Sequence, residues 1–278
     1  VNSLVSHSPQ LAWNAPRDST FELLEPNIAT LQTIFQSKCI QGASGREIPL
    51  NVFIPPAEGN LLYSLVRYLR PLHCLEIGLA NGISATYIAQ ALQDNQRGAH
   101  LAIDPFQTSD WDDAGLTTLR RAQLDQLVTL KPALSHWVLP QLEQQAVRVQ
   151  FAFIDGSHLF DYVMTDFLGV DRILDVGGLI AWDDSDWPSI TRVIRFALTN
   201  RDYRVLDTGT VIEPSGYHPR WVARVLRAVA LRWPSGRRIF RPDFLFPSHQ
   251  LGISGRCIVL QKLSNDLRDN QKPQLAEF

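Results

Sequence analysis

The chain has 278 residues, 45% of them hydrophobic, enough to bury one substantial core or two modest ones. Its formal net charge of −2 argues against nucleic acid as the partner, because neutralising phosphates takes a clear basic excess. Cys39, Cys74 and Cys257 are scattered, with neither metal-ligand spacing nor the pattern of a disulfide framework, so a reducing, cytoplasmic setting is expected.

The first twenty residues show no charged segment leading into an apolar one, and nowhere does an apolar run reach the roughly 18 residues of a membrane span. Residues 1–50 read as an irregular N-terminal extension, with one helical candidate at 28–35. From residue 51 onward short apolar runs alternate with helical periods. GNLLYSLVRYL (59–69) has helical spacing at Leu62, Leu65, Val66 and Leu69, LHCLEIG (72–78) is a strand ending in a turn, and ISATYIAQAL (83–92) is a helix. Strands are expected at 100–104, 147–155, 178–184, 203–207 and 256–263, and helices at 114–124, 160–174 and 189–198. Such alternation implies βαβ units around a mostly parallel, doubly wound sheet covered on both faces.

In sheets of this kind ligands bind outside the carboxyl ends of the strands. Glu76, Asp104, Asp155 and Asp183 each stand at such an end. The turn LEIGLANG spaces Glu76, Gly78 and Gly82 as E-x-G-x-x-x-G between a strand and a helix. A dinucleotide site would want G-x-G-x-x-G, but Ala80 and Ile83 occupy the second and third glycine positions counted from Gly78. A cofactor without a pyrophosphate fits better, and S-adenosylmethionine is such a molecule. Its ammonium can pair with an acid, its carboxylate can take a helix N-terminus and Ser84, and its ribose hydroxyls can donate to Asp104.

FIDGSHLFDY (153–162) ends an apolar run in Asp155 and sets His158 three residues on, while Asp183 and Asp184 close the following strand. Neighbouring strands lie roughly 4.8 Å apart, so these carboxylates can converge on one hard cation such as Mg²⁺. His158 has the side-chain type whose unperturbed pKa, near 6.5, suits proton removal from a hydroxyl.

These pieces resemble the class I S-adenosylmethionine-dependent methyltransferases, and within them the metal-dependent small-molecule O-methyltransferases that act on catechols, caffeoyl-CoA and macrolide sugars. The resemblance runs through IPPAEGNLL (54–62), LEIGLANGIS (75–84), AIDPF (102–106), LSHWVLPQL (134–142), FIDGSH (153–158) and GGLIAWDD (177–184). It implies a Rossmann-like sheet of seven strands with the last one, 256–263, antiparallel, so that 51–278 would be the methyltransferase domain. It implies Gly59, Glu76, Gly78, Gly82, Ser84, Asp104, Ser135, His136 and Asp155 as cofactor contacts. His158 and Asp155 would be catalytic, and Asp155, Asp183 and Asp184 would be ligands of Mg²⁺. The catechol and caffeoyl-CoA enzymes carry lysine where this chain has His158 and asparagine where it has Asp184. Histidine there is a feature of the sugar-modifying branch, which favours a sugar or other aliphatic hydroxyl as acceptor.

A basic amphipathic insert, about 209–252, separates the two late strands. Its 219–233 segment reads as a helix with Arg220, Arg224 and Arg227 on one face. A lid or subunit-contact helix, a site for an anionic acceptor and a membrane-surface helix all suit that pattern. Rival readings of the whole are a methyltransferase that needs no metal, a nicotinamide-dependent oxidoreductase, and a non-catalytic nucleoside-binding protein.

Overall fold

A computed structural model describes residues 21–214 and 251–266 of the chain. The elements run in the order α1 (Ala29–Ser37), β1 (Cys39–Gln41), β2 (Glu47–Pro49), α2 (Pro56–Leu69), β3 (His73–Ile77), α3 (Ile83–Asn95), β4 (Ala99–Ile103), α4 (Ala114–Arg121), β5 (Val128–Lys131), α5 (Ser135–Gln144), β6 (Val149–Ile154), α6 (Phe160–Ile173), β7 (Leu174–Trp182), α7 (Pro188–Asn200), β8 (Tyr203–Val205) and β9 (Ile258–Lys262). Strands β3 to β9 form one sheet in the order β5-β4-β3-β6-β7-β9-β8. Every pairing from β5 to β7 is parallel, and β9 runs antiparallel to both of its neighbours. This is the expected Rossmann-like, doubly wound sheet, with the antiparallel strand seated between β7 and β8.

The two faces of the sheet are sorted by side-chain alternation. β6, VQFAFI, is buried along its whole length. Phe151 and Phe153 join Cys74, Leu179 and Ala181 in a core with Leu61, Leu62, Leu65, Ile88 and Leu92 of α2 and α3. Ala152 and Ile154 join Leu75, Ile77, Ile180 and Trp182 against Leu139, Phe167, Val170, Val193 and Ile194 of α5, α6 and α7. Burying each large apolar side chain contributes about 1.5–3 kcal/mol, so both layers are held firmly to the strands they cover. Pro56 and Pro188 occupy first-turn positions of α2 and α7, where a missing N–H costs nothing.

Several elements differ from the sequence expectation. The hairpin β1–β2, strand β5 and helix α5 stand where none is expected, and α4 stops at Arg121 before a short 3-10 turn, Asp125–Leu127. The segment before α2 packs into the main core through Ile28, Leu31, Ile34 and Ile40, and the Leu24 N–H donates to Ser64 Oγ at 2.8 Å. The insert helix expected at 219–233 lies outside the described residues. No described helix is long and apolar enough to cross a membrane.

The chain leaves β3 toward β4 on one side and later returns to pair β6 on the other, so the strand order reverses between β3 and β6. A crevice opens at such a reversal, above the carboxyl ends. Gly78, Asp104, Asp155 and Asp183 follow directly on β3, β4, β6 and β7.

Candidate active site

The glycine turn is built for close approach. Gly78 has φ +94°, and a Cβ there would sit 2.1 Å from the carbonyl oxygen of Asp155. The turn therefore runs directly against the end of β6, tied to it by Asp155 N–H to Ile77 O and to β4 by Gly78 N–H to Ile103 O, both 2.9 Å. Gly82, with φ +76°, caps α3, and a Cβ there would meet Gly115 O at 2.7 Å. Ser84 is buried in the first turn of α3. Asp104 braces this turn from β4, accepting Leu79 N–H (3.1 Å), Ala80 N–H (2.8 Å), Phe106 N–H (2.8 Å) and Gln107 Nε2 (3.0 Å).

Glu76 sits inside β3 and is fully buried, its Oε2 3.1 Å from His100 Nε2. Its Oε1 is buried and accepts no hydrogen bond from a described residue. One carboxylate oxygen is thereby left for a donor that the described residues do not supply. Gly59 lies at the seam of α2 and α3, where a Cβ would strike the Tyr87 ring at 2.1 Å, so its own demand is helix packing.

Ser135 and His136 open α5. Ser135 Oγ donates to Asp166 Oδ1 at 2.5 Å, and the His136 ring lies 5.6 Å from Trp137 and 6.3 Å from Tyr162. Asp166, on α6, is a residue the sequence reading did not single out. Burial pushes its carboxyl up to about 6, against the pull of the Ser135 hydrogen bond. A native carboxyl raised above its unfolded value of 3.8 holds its proton longer than the unfolded chain does. Stability then falls as pH rises from about 4 to 6 and stays lowered above that, by up to about 3 kcal/mol. Asp166→Asn is expected to remove this descending limb and raise the urea midpoint at pH 8 while leaving it little changed at pH 4.

The acid cluster occupies the corner between β6, β7 and β9. Asp155, His158 and Asp183 line one small crevice with Trp182 and Ile190. Asp184 takes a left-handed backbone, φ +48°, which asparagine and aspartate tolerate better than most side chains. Its Oδ2 lies 2.8 Å from His158 Nε2, and the His158 ring leans on Trp187 with centroids 5.0 Å apart. The Asp184 hydrogen bond raises the imidazole pKa above its ordinary 6.5, against the opposing effect of burial.

Two further members were not singled out from the sequence. Glu58, in the first turn of α2, is fully buried, and burial and then Asp183 push its carboxyl well up. Asp155 is pushed up likewise by burial, Asp183 and Glu58. Arg256, just before β9, grips both oxygens of Asp183, Nε to Oδ1 at 2.7 Å and Nη2 to Oδ2 at 2.8 Å. It also lies 3.4 Å from Glu58 Oε2 and 3.6 Å from Asp184 Oδ1. Glu58 was within reach of the sequence, inside the IPPAEGNLL stretch; nothing in the sequence near Arg256 points to it.

The three expected metal ligands thus come to one corner, but Asp183 and Asp184 are already engaged there. Both Asp183 oxygens carry guanidinium N–H groups and Asp184 Oδ2 carries the imidazole. Among the described residues no group of three His, Cys, Asp or Glu is arranged to hold a metal ion. As they stand, these residues do not fit Mg²⁺, which demands oxygens near 2.1 Å in octahedral array.

Residues 75–185 match a methyltransferase-domain family. The chain is 27% identical over 134 residues to a protein of Arabidopsis thaliana that bears the name caffeoyl-CoA O-methyltransferase, covering 48% of this chain and 55% of that one. It is also 27% identical over 138 residues to tricin synthase 2 of Oryza sativa subsp. japonica, covering 48% and 44%. The matched part thus spans about half the length of these curated relatives. The O-methyltransferase TomG of Streptomyces achromogenes, solved with S-adenosylmethionine, superposes with TM-score 0.56 at 17% identity, over 87% of this chain and 93% of that one. An O-methyltransferase of Bacillus cereus, solved with S-adenosylhomocysteine, gives 0.52 at 23% identity, over 68% and 87%. At these identities the likeness to the solved structures is one of fold.

Proposed function

We propose that this chain, whose residues 75–185 carry a methyltransferase domain on a class I methyltransferase sheet, moves a methyl group from S-adenosylmethionine to a hydroxyl of a small molecule or sugar. The observation that carries the reading is the His158–Asp184 pair, set at the carboxyl edge beside the glycine turn at the strand-order reversal.

The turn fits the cofactor's amino-acid end. Gly78 lets the turn press against the end of β6 at the strand-order reversal, the buried Glu76 Oε1 wants a donor, and the first turn of α3 with Ser84 suits a carboxylate. Gly82 keeps that turn tight. Asp104 would reach the ribose while still bracing the backbone, and Ser135 with His136 would lie toward the base. S-adenosylmethionine supplies a sulfonium-bound methyl group.

The chain's own residues supply orientation and a base. Asp184 holds the Nε2 proton of His158, which leaves the Nδ1 lone pair to accept a proton. The acceptor hydroxyl's proton would pass to Nδ1 as the methyl group leaves the cofactor's sulfur, which becomes the neutral thioether of S-adenosylhomocysteine, so charge would not build up on the oxygen. Positioning of the hydroxyl by the crevice of Asp155, His158 and Asp183 lowers the barrier further. Trp187, half-exposed against His158, offers a flat surface to the acceptor. The resemblance of the His158 position to the sugar-modifying branch favours an aliphatic or sugar hydroxyl over a catechol.

Calorimetric titration with S-adenosylhomocysteine tests the cofactor class. Saturable one-site binding is the expected result. No binding, together with one-site binding of NAD, would overturn the reading in favour of an oxidoreductase.

A further inference from the structure

We propose that Arg256 is the resident cation of the carboxylate cluster, holding with its guanidinium the place that a divalent metal holds in the O-methyltransferases this chain resembles. The proposal concerns the site of the proposed methyl transfer and rests on that reading for its catalytic meaning alone.

Four carboxylates, Glu58, Asp155, Asp183 and Asp184, meet at this corner, and three of them lie within 4 Å of one guanidinium. The pairing to Asp183 is a two-pronged fork, the geometry in which arginine binds a carboxylate most strongly. Asp183 Oδ1 also accepts the Asp184 N–H at 2.7 Å, so a metal ion on that oxygen would have to displace a donor, and one on Oδ2 would face the guanidinium charge a few ångströms away.

The arginine is also built into place. Its N–H donates to Ile212 O at 3.0 Å, and its carbonyl accepts the Ser185 N–H at 2.7 Å. Gly255 before it has φ +82°, and a Cβ there would meet Ile212 O at 2.5 Å, so the approach needs glycine. Ser185 Oγ donates to Gly255 O at 3.0 Å. The antiparallel pairing of Trp182 with Ile258 sets β9 in register with β7 and brings Arg256 up to the acids. A flexible surface arginine that happened to find an acid would show none of these restraints. The guanidinium balances the acids and donates fixed hydrogen bonds, leaving activation of the hydroxyl to His158.

The test is uptake of Mn²⁺ by the metal-stripped full chain, read from the electron paramagnetic resonance signal of the free ion, with S-adenosylhomocysteine binding measured on the same samples. The wild type is expected to take up no Mn²⁺ saturably up to millimolar concentrations. Arg256→Ala is expected to gain one equivalent, bound at least tenfold more tightly than any wild-type uptake, and adding Asp183→Asn is expected to abolish it. Arg256→Gln, which keeps an N–H donor and drops the charge, serves if the alanine variant does not fold. The proposal is overturned if the wild type binds one equivalent that Asp183→Asn removes, or if a folded Arg256 variant binds none. Absence of S-adenosylhomocysteine binding would count against the cofactor reading and leave the metal result to stand by itself.

Discussion

His158→Ala is expected to lower kcat for methyl transfer by about two to four orders of magnitude, the usual worth of a positioned general base. Affinity for S-adenosylhomocysteine should stay within about twofold, because the cofactor is assigned to the glycine turn and α5, and a lost base is a loss felt in the transition state. The side chain is partly exposed and its contacts are to Asp184 and the Trp187 ring, so folding should survive the truncation. Asp184→Asn tests the pair from the other side. The carboxylate raises the pKa of the imidazole, so a neutral base requires a pH above that raised value. Removing the negative charge should move the rising limb of the pH–rate profile toward lower pH, and a profile that did not move would separate Asp184 from the base. A variant lacking His158 that retained full turnover would show that the proton leaves by another route.

Gly78→Ala is expected to cost about 4 kcal/mol or more of stability and to abolish cofactor binding. Two effects add. An L-residue at φ +94° is strained by about 1–2 kcal/mol, and the new methyl group would lie 2.1 Å from the Asp155 carbonyl oxygen. That oxygen belongs to backbone at the end of a fully buried strand, so it cannot swing aside as a side chain could. Gly45→Ala is the matched control. It has φ +85° with nothing within 4 Å of a Cβ, and it should cost about 1–2 kcal/mol from backbone strain alone. Urea denaturation of the two variants separates strain from collision, and equal losses would mean that the turn does not press on β6.

The fold was legible wherever one face or both faces of an element are apolar. β6 reads as a strand from its apolar run, which is buried along its whole length, and α2 and α7 read as helices from their apolar periodicity, though α2 begins at Pro56, three residues before the expected 59. β5 was not legible because it is a four-residue edge strand with alternate residues exposed, and VTLK carries little apolar signal. α5 was hidden by Pro140, which reads as a helix breaker but is tolerated here on the exposed side of a ten-residue helix. In the site, Gly78, Asp155 and Asp183 could be placed from sequence because each follows directly on a predictable strand, and His158 because it stands in the turn after Asp155. Arg256 could not, and Glu58 was visible only as part of the IPPAEGNLL stretch, since their meeting with Asp183 depends on how α2 and β9 pack against the sheet. Glu76 was legible as an acid near the turn, but not its burial against His100, which depends on the register of β3 with β4.

The position of β9 bears on the order in which the molecule can be completed. Among the described residues β8 pairs with β9 alone, and β7 has only β6 until β9 arrives, so this sheet closes with a strand far along the chain from β7. Pairings between segments so distant in sequence form slowly, because the loop must close before its contacts repay it. Until then the nascent chain carries a bare edge on β7 and a corner of acids with no guanidinium among them. Arrival of β9 ends both conditions together. Closure of the sheet and balancing of the carboxylate corner are therefore one event, and a nascent chain ending before Arg256 would present neither.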